Sequence, residues 1–442
     1  MRRFLRCSFV LAAALAGGVL GGCSFSERKD PPLPGERLPV LALGAEIEVD
    51  PALATVPVAV APPVANDRWS QVVGNAAHAV YHVALGANPK RVWRTDIGES
   101  ATRERRLLAQ PVMDEAGRLY TLDVDARVSS IDGANGKRLW SRALRGDEEG
   151  DTTLGGGVAV AGGIVYVTTG FAQVVAIEAA SGKVLWRQRV TAPFRSAPTI
   201  ADGRVFAVSS DNQTHALDAR TGNVIWTHRG ASELASLLGG ASPAYEAGVV
   251  VVAYSTGELF ALRATNGAEL WSDYLARAGR TSAVAQISDI RASPIIDRGR
   301  VISVSNSGRM VALNVLNGAR IWEQRMASIQ TPWAAGDYIY VVTNENALVC
   351  ITRSDGRVRW ARSLPRWEKP KDQKDIITWS GPVLAGDRLI LAGSNRDVLS
   401  VSPFTGDLLG RLRMPDPVSI PPMVARGSLF ILTDDAELIA LR

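Results

Sequence analysis

The side chains that could do chemistry in this 442-residue chain are few, and their spacing is unpromising for catalysis. There are four histidines: His78, His82, His215 and His228. His78 and His82 stand four apart in HAVYHV. On a helix that spacing would offer two metal ligands on one face. The segment is rich in β-branched and aromatic residues and reads instead as a strand. No third His and no acid stands close by, so the pair reads as structural rather than as a metal centre. His215 and His228 fall inside repeated segments and read as packing or surface. Cys350 occupies a position that elsewhere holds small residues, and reads as buried and inert. There is no Cys-x-x-Cys, no G-x-S-x-G and no phosphate-binding loop. Asp67, Asp123, Asp125 and Asp211 lie in polar turns, where Asp is common for backbone reasons. These residues imply no enzyme, no metal and no cofactor.

One cysteine does carry a chemical expectation. Residues 1–22 open with Arg2, Arg3 and Arg6, continue with an apolar stretch too short to span a bilayer, and end in Leu20-Gly21-Gly22-Cys23. That is a cleavable leader. Leu, two small residues and then Cys is the pattern of a bacterial lipoprotein, so Cys23 becomes the lipidated first residue of the mature chain. Lipid chains anchor without a span. Ser24, rather than Asp, follows and points to the outer membrane, on its periplasmic face. Cys7 leaves with the leader, and Cys350 is then left without an internal disulfide partner. Residues 23–65 are rich in Pro, Ala and Val and read as an extended, mostly disordered tether.

The elements that position everything else come from a repeat. ALDARTGNVIW, ending at Trp226, has near-copies ending at Trp140, Trp186, Trp271, Trp322 and Trp360, and a worn copy ending at Gly410. Each has a small residue first, Gly at the seventh position and Trp or its replacement at the eleventh. The glycines paired with the six tryptophans are Gly136, Gly182, Gly222, Gly267, Gly318 and Gly356. A longer frame of fourteen residues precedes the Gly turn and occurs eight times, starting at Gly117, Gly163, Gly203, Gly248, Gly299, Asp337, Asp387 and Gly427. Each frame is a β-rich run, a polar turn and a second alternating run, which is a hairpin. A Pro five residues before most frames marks a short preceding strand. Each unit is therefore a four-stranded antiparallel blade, and a period of this size means a propeller. The last frame ends at Arg442 with no Trp strand after it, while Asn88 to Trp93 is a Trp strand with no frame before it. Pairing the two closes an all-β, eight-bladed propeller over residues 66–442 and removes a bare sheet edge. The recurrent Gly and Trp residues are expected to dock blade against blade.

A net charge of +5, with bases and acids interspersed, gives little support to nucleic-acid binding. Binding is expected on the long connections that follow the Trp strands. Two of them, 227–242 and 272–293, precede adjacent blades and should lie side by side. One carries Leu234, Leu237 and Leu238; the other carries Tyr274, Arg277, Arg280 and Asp289. The 361–381 connection, with Trp367 and KPKDQKD, is a third candidate. Trp333 and Trp379 hint weakly at a glycan-binding mouth, but also fit the core.

The small-x-Asp-x-x-x-Gly-Lys-x-x-Trp pattern resembles the repeats of quinoprotein (PQQ) dehydrogenases, which implies the same eight-bladed fold. The adjacent Cys pair that alcohol-oxidising members commonly place over the quinone is missing, as is a clear Glu, Asn and Asp set for calcium. A lipid-anchored PQQ-like oxidoreductase therefore stays the alternative. The whole plan is more similar to the BamB family, lipoproteins of the outer-membrane β-barrel assembly (BAM) machinery. Residues 286–294, QISDIRASP, resemble the family's Leu-Ser-Asp-Val-Asp-x-x-Pro, and 236–243, SLLGGASP, resemble its Ser-Leu-Arg-Gly-x-Ser-x-Pro. In that family these loops contact a POTRA domain of the barrel-inserting, BamA-like subunit. The resemblance implies a non-enzymatic scaffold without cofactor that binds that subunit and helps insert outer-membrane proteins. It places the contact at Leu237, Leu238, Asp289 and Arg291. Asp289 matches the first acid; Arg291 replaces the second, and Leu238 replaces the family's Arg. Holding nascent outer-membrane strands at a blade edge is a further possibility.

Overall fold

In the computed structural model, residues 47–53, 55–146, 155–233, 236–276 and 287–442 are described. Cys23, Leu234, Arg277, Arg280 and the whole of the leader lie outside them. The repeats form eight four-stranded antiparallel blades in sequence order, with the eighth assembled from both ends of the described chain. Its strands are Met423–Ala425, Ser428–Leu432 and Glu437–Leu441, completed by Arg91–Asp96. Trp93 sits opposite Ala440, and Lys90 and Arg442 exchange backbone hydrogen bonds of 2.7 and 2.9 Å beyond it. The expected closure is therefore the observed one.

The blade pattern follows from residue size. In blade 3 the frame gives strands Arg204–Ser209 and Gln213–Asp218, and Ala216 lies opposite Trp226 with a bulge immediately after it. The small first residue of the motif makes room for the indole. Cys350 plays the same part opposite Trp360, and burial pushes its thiol well above the ordinary range, so it stays protonated.

Each indole then crosses to the next blade. Trp186 packs on Gly222 and donates its Nε1–H to the Ala219 carbonyl at 3.1 Å. Gly222 has φ +77°, and a Cβ there would lie 2.6 Å from the Trp186 ring. Glycine is thus required twice, for the turn and for the close approach. The same joint recurs for Trp93, Trp140, Trp226, Trp271, Trp322 and Trp360 on Gly136, Gly182, Gly267, Gly318, Gly356 and Gly406. At the remaining seam, between blades 7 and 8, Gly410 stands in place of the Trp. Arg388 of blade 7 reaches instead to the carbonyls of Gly86 and Ala87, just before the closing strand.

The axial channel is closed on one side by the segment 64–85, which makes a complete lap of the inner strands. Asn66 accepts from the Arg426 amide of blade 8, and Trp69 pairs with Met113 of blade 1. The Ser70 carbonyl takes the Val160 amide of blade 2, and the Gln71 side chain brackets Ile200 of blade 3 with two 2.9 Å bonds. Ala76 and Ala77 accept from Tyr245 and Ile296 of blades 4 and 5. The Tyr81 carbonyl takes the Trp333 indole N–H of blade 6, and Val83 pairs with Leu384 and Gly386 of blade 7. Val64 bonds to His82 and Ala84, so the lap closes on its own start. The expected strand at 78–82 is not formed. A chain that bonds to every blade in turn has to curve continuously, and it does so with Val73, His78 and Tyr81 at positive φ.

Residues 47–53 and 55–65, expected to belong to an extended, mostly disordered tether, lie against the blades. The Asp50 amide bonds to Val358, Arg359 donates to the Val56 carbonyl and Tyr338 to that of Pro57. The propeller's packing thus begins before residue 66. Proline-rich chain has carbonyls free for outside donors, and here blade 6 supplies those donors.

Candidate functional site: the open mouth of the channel

Opposite the lap the channel opens into a cavity of about 830 Å³. Its floor is Trp69, Val72 and Val73 of the lap, with Trp69 stacked on Trp333 at 6.2 Å. Its walls are the connections that lead into the inner strands. Leu237, Leu238 and Arg291 all line it.

The two connections ahead of blades 4 and 5 do lie side by side. The Leu237 amide donates to Asp289 Oδ2 at 2.8 Å, and the Ser242 amide donates to Ser293 Oγ at 3.0 Å. Asp289 is buried, and its backbone carbonyl accepts from the Asn306 amide. Burial raises its carboxyl above the ordinary range, against the Leu237 amide and the charges of Arg291 and Arg195. Asp289 is therefore a clamp between loops. Arg195, which sequence reasoning missed, braces the first loop from the connection ahead of blade 3 by donating to Ser236 Oγ. That connection is short and gave no length signal. Leu238 projects from the braced loop and is 37 % exposed. Tyr274 is also exposed, but lies at the end of the outer strand Glu269–Tyr274 rather than at the cavity.

The third candidate connection forms a small hairpin, Trp367–Lys369 with Lys374–Ile376, whose Glu368 and Ile376 reach the cavity. Ile376 is 60 % exposed. Lys369 pairs with Asp375 at 2.7 Å, and the Arg366 guanidinium lies 5.3 Å above the Trp367 ring. Trp333 and Trp379 are both buried, with their indole N–H groups on the Tyr81 and Pro365 carbonyls. They are walls of the cavity rather than platforms for a sugar.

The histidines are held by packing, although His78 Nε2 is buried without a hydrogen-bond partner. His78 Nδ1 lies 2.7 Å from the Pro294 carbonyl, and burial lowers its pKa to about 4. His82 Nε2 accepts from the Asp387 amide, so its Nδ1 carries the proton given to the Ala61 carbonyl. The two address different blades. No group of three or more His, Cys, Asp or Glu side chains is placed to hold a metal among the described residues.

These features define a class: a Trp-docked eight-bladed propeller whose open mouth is built from loops. The fold is shared with enzymes and non-enzymes. A europium-containing methanol dehydrogenase superposes with a TM-score of 0.65 at 14 % identity, over 83 % of this chain and 89 % of that one. BamB from Moraxella catarrhalis superposes with a TM-score of 0.67 at 16 % identity, over 80 % of this chain and 99 % of that one. Sequence separates the two. The family model described as outer membrane protein assembly factor BamB matches residues 124–362. The chain is 29 % identical to the protein of that name from Salmonella typhimurium, over 80 % of this chain and 88 % of that one. It is 28 % identical to the Xanthomonas campestris protein, over 80 % and 85 %. The chain belongs to the BamB family.

Proposed function

We propose that this chain is a non-enzymatic scaffold of the outer-membrane β-barrel assembly machinery. Lipidated at Cys23 and held at the periplasmic face of the outer membrane, it grips the POTRA region of the barrel-inserting subunit and orients it for insertion of outer-membrane proteins. The observation that carries this reading is the pair of loops clamped through Asp289, which presents an exposed Leu238 at the cavity rim of a BamB-family propeller. An apolar side chain held out on a braced loop contributes to association without loop-ordering cost. The mechanism is positioning: the rigid ring fixes one surface, and the partner's orientation follows from it. Likeness to the dehydrogenases lies in the fold alone.

The test is affinity capture of the mature protein from detergent-solubilised envelopes, with mass spectrometry of co-purifying chains. A POTRA-containing barrel subunit is expected with the wild type and is expected to be depleted with Leu238→Asp. Recovery of the wild type alone in mild detergent would overturn the proposal.

A further inference from the structure

Three arginines line the cavity, Arg106, Arg195 and Arg291, and they are differently placed. Arg106 is exposed on the rim. Arg195 is occupied by Ser236 Oγ. Arg291 lies across Gly239 of the neighbouring loop, its Nε 2.9 Å from where a Cβ on that glycine would stand. Gly239 has φ +91°, so the turn and the close approach both need glycine there. The guanidinium thus lies close against the Gly239 turn. Its nearest acid, Asp289, is taken up by the Leu237 amide and makes no ion pair with it. Among the described residues Arg291 makes no hydrogen bond and no ion pair. Burial also pushes its pKa down, which reflects the cost of holding an unmatched cation there.

Around that point Arg195 and Arg291 stand against Asp289 and Glu233, two cations to two anions, so it is the unpaired Arg291 itself, rather than net charge, that calls for a partner acid. The other acids lining the cavity are Glu368, on the small hairpin, and Asp434, whose carboxylate is taken up by the Ser419 amide and hydroxyl. A planar guanidinium with free donors in a partly dry cleft is a bidentate receptor for a carboxylate. The surroundings of that receptor are apolar: Leu238 on its own loop pair and Ile376 on the hairpin.

We infer that the docked partner inserts an acidic side chain, flanked by apolar surface, into the channel mouth to pair with Arg291. This rests on the proposed docking face and specifies its chemistry. Arg291 then sets the partner's register, while Leu238 and Ile376 contribute apolar contact around it.

The experiment compares capture of the barrel subunit by full-length wild type, Arg291→Lys, Arg291→Met, Arg291→Glu and Leu238→Asp, each checked for an unchanged melting curve. Affinity should fall on the order of 30-fold or more for Arg291→Glu and about tenfold for Arg291→Met, with a smaller loss for Arg291→Lys, which keeps the charge but not the fork. Wild-type binding should weaken with added salt, and Arg291→Met should flatten that dependence. Wild-type affinity for Arg291→Glu, with Leu238→Asp impaired, would sink the inference and leave the docking face standing. Wild-type affinity for both would sink the face as well. Equal losses for Arg291→Lys and Arg291→Glu would make Arg291 a packing residue and also overturn the inference.

Discussion

The two sides of the axial channel are built on opposite principles. On the closed side, most polar and titratable groups have partners within the chain, with His78 Nε2 an exception: His82 holds Ala61 and Asp387, Gln71 brackets Ile200, and Tyr81 donates to Asp297 at 2.7 Å. Asp297 in turn pairs with Arg353 at 2.8 Å, with side chains 0 % and 4 % exposed. On the open side, Leu238, Ile376 and Arg291 are held in place by braced loops but have no comparable partners. Residues with chemical potential are therefore a poor guide to function when their partners are all internal. The informative groups are those that the fold positions at an opening to solvent and then leaves unmatched. If this contrast is right, substitutions on the closed side should act on stability, and substitutions at the mouth should act on binding.

The largest effect is expected at Asp297. The carboxylate joins three pieces: the lap through Tyr81, the inner strand of blade 5, and the blade 6 turn through Arg353. Removing it leaves the Arg353 guanidinium buried without its counter-charge. Asp297→Ala should cost about 3–5 kcal/mol, the usual penalty for breaking a buried pair from one side. Urea unfolding monitored by tryptophan fluorescence checks this. A midpoint unchanged from wild type would mean that the lap is not fastened where the structure puts its strongest lock.

The next effect is conditional on pH. Burial holds His78 at about 4, below its ordinary 6.5. A depressed histidine favours the neutral form in the folded state. Its contribution is therefore intact above pH 6.5 and is lost progressively as pH falls towards 4, because the unfolded chain takes up the proton first. The loss across that window is about 3 kcal/mol at most. His215 and His228 are also lowered by burial and act in the same direction. His78→Asn can keep a donor to the Pro294 carbonyl without a titrating ring. Its stability should fall less than that of wild type between pH 7 and 4.5, whatever its value at pH 7. Parallel pH profiles for the two proteins would remove His78 from the account.

The ring was legible in the sequence because each blade repeats the same local solution. A small residue opposite a Trp, and a Gly beneath the next blade's indole, recur at fixed offsets, so even closure through Trp93 could be read from the incomplete units at each end. The lap was not legible. Its residues bond to each of eight different blades, once to some and several times to others, and no periodicity results from that pattern. HAVYHV looks like a strand because strand propensity reflects side-chain packing, whereas here the backbone is curved by many separate neighbours. The loop pair was found through its length, and Asp289 was correctly placed beside Leu237, but its role as an internal clamp only emerges once the Leu237 amide is seen on its carboxylate. Arg195 escaped notice because its own connection is short.

The smallest stability effect, and the sharpest test of the contrast, is at Leu238. Its side chain is 37 % exposed, and the loop that carries it is held by Ser236, by the Leu237 amide and by Ser242, none of which needs an apolar group at 238. Leu238→Asp should therefore change folding stability by no more than about 0.5 kcal/mol, as surface substitutions usually do. The same change places a carboxylate on the proposed docking face, within the loop pair that holds Arg291, and can supply from inside the charge that the proposed partner would otherwise bring. Thermal unfolding and partner capture on the same preparation separate the two effects. An unchanged melting curve with lost capture fits a mouth that is rigid but unmatched. A protein that melts several degrees lower would instead place Leu238 in the core, and the division between a closed structural side and an open recognition side would fail at the residue that best defines it.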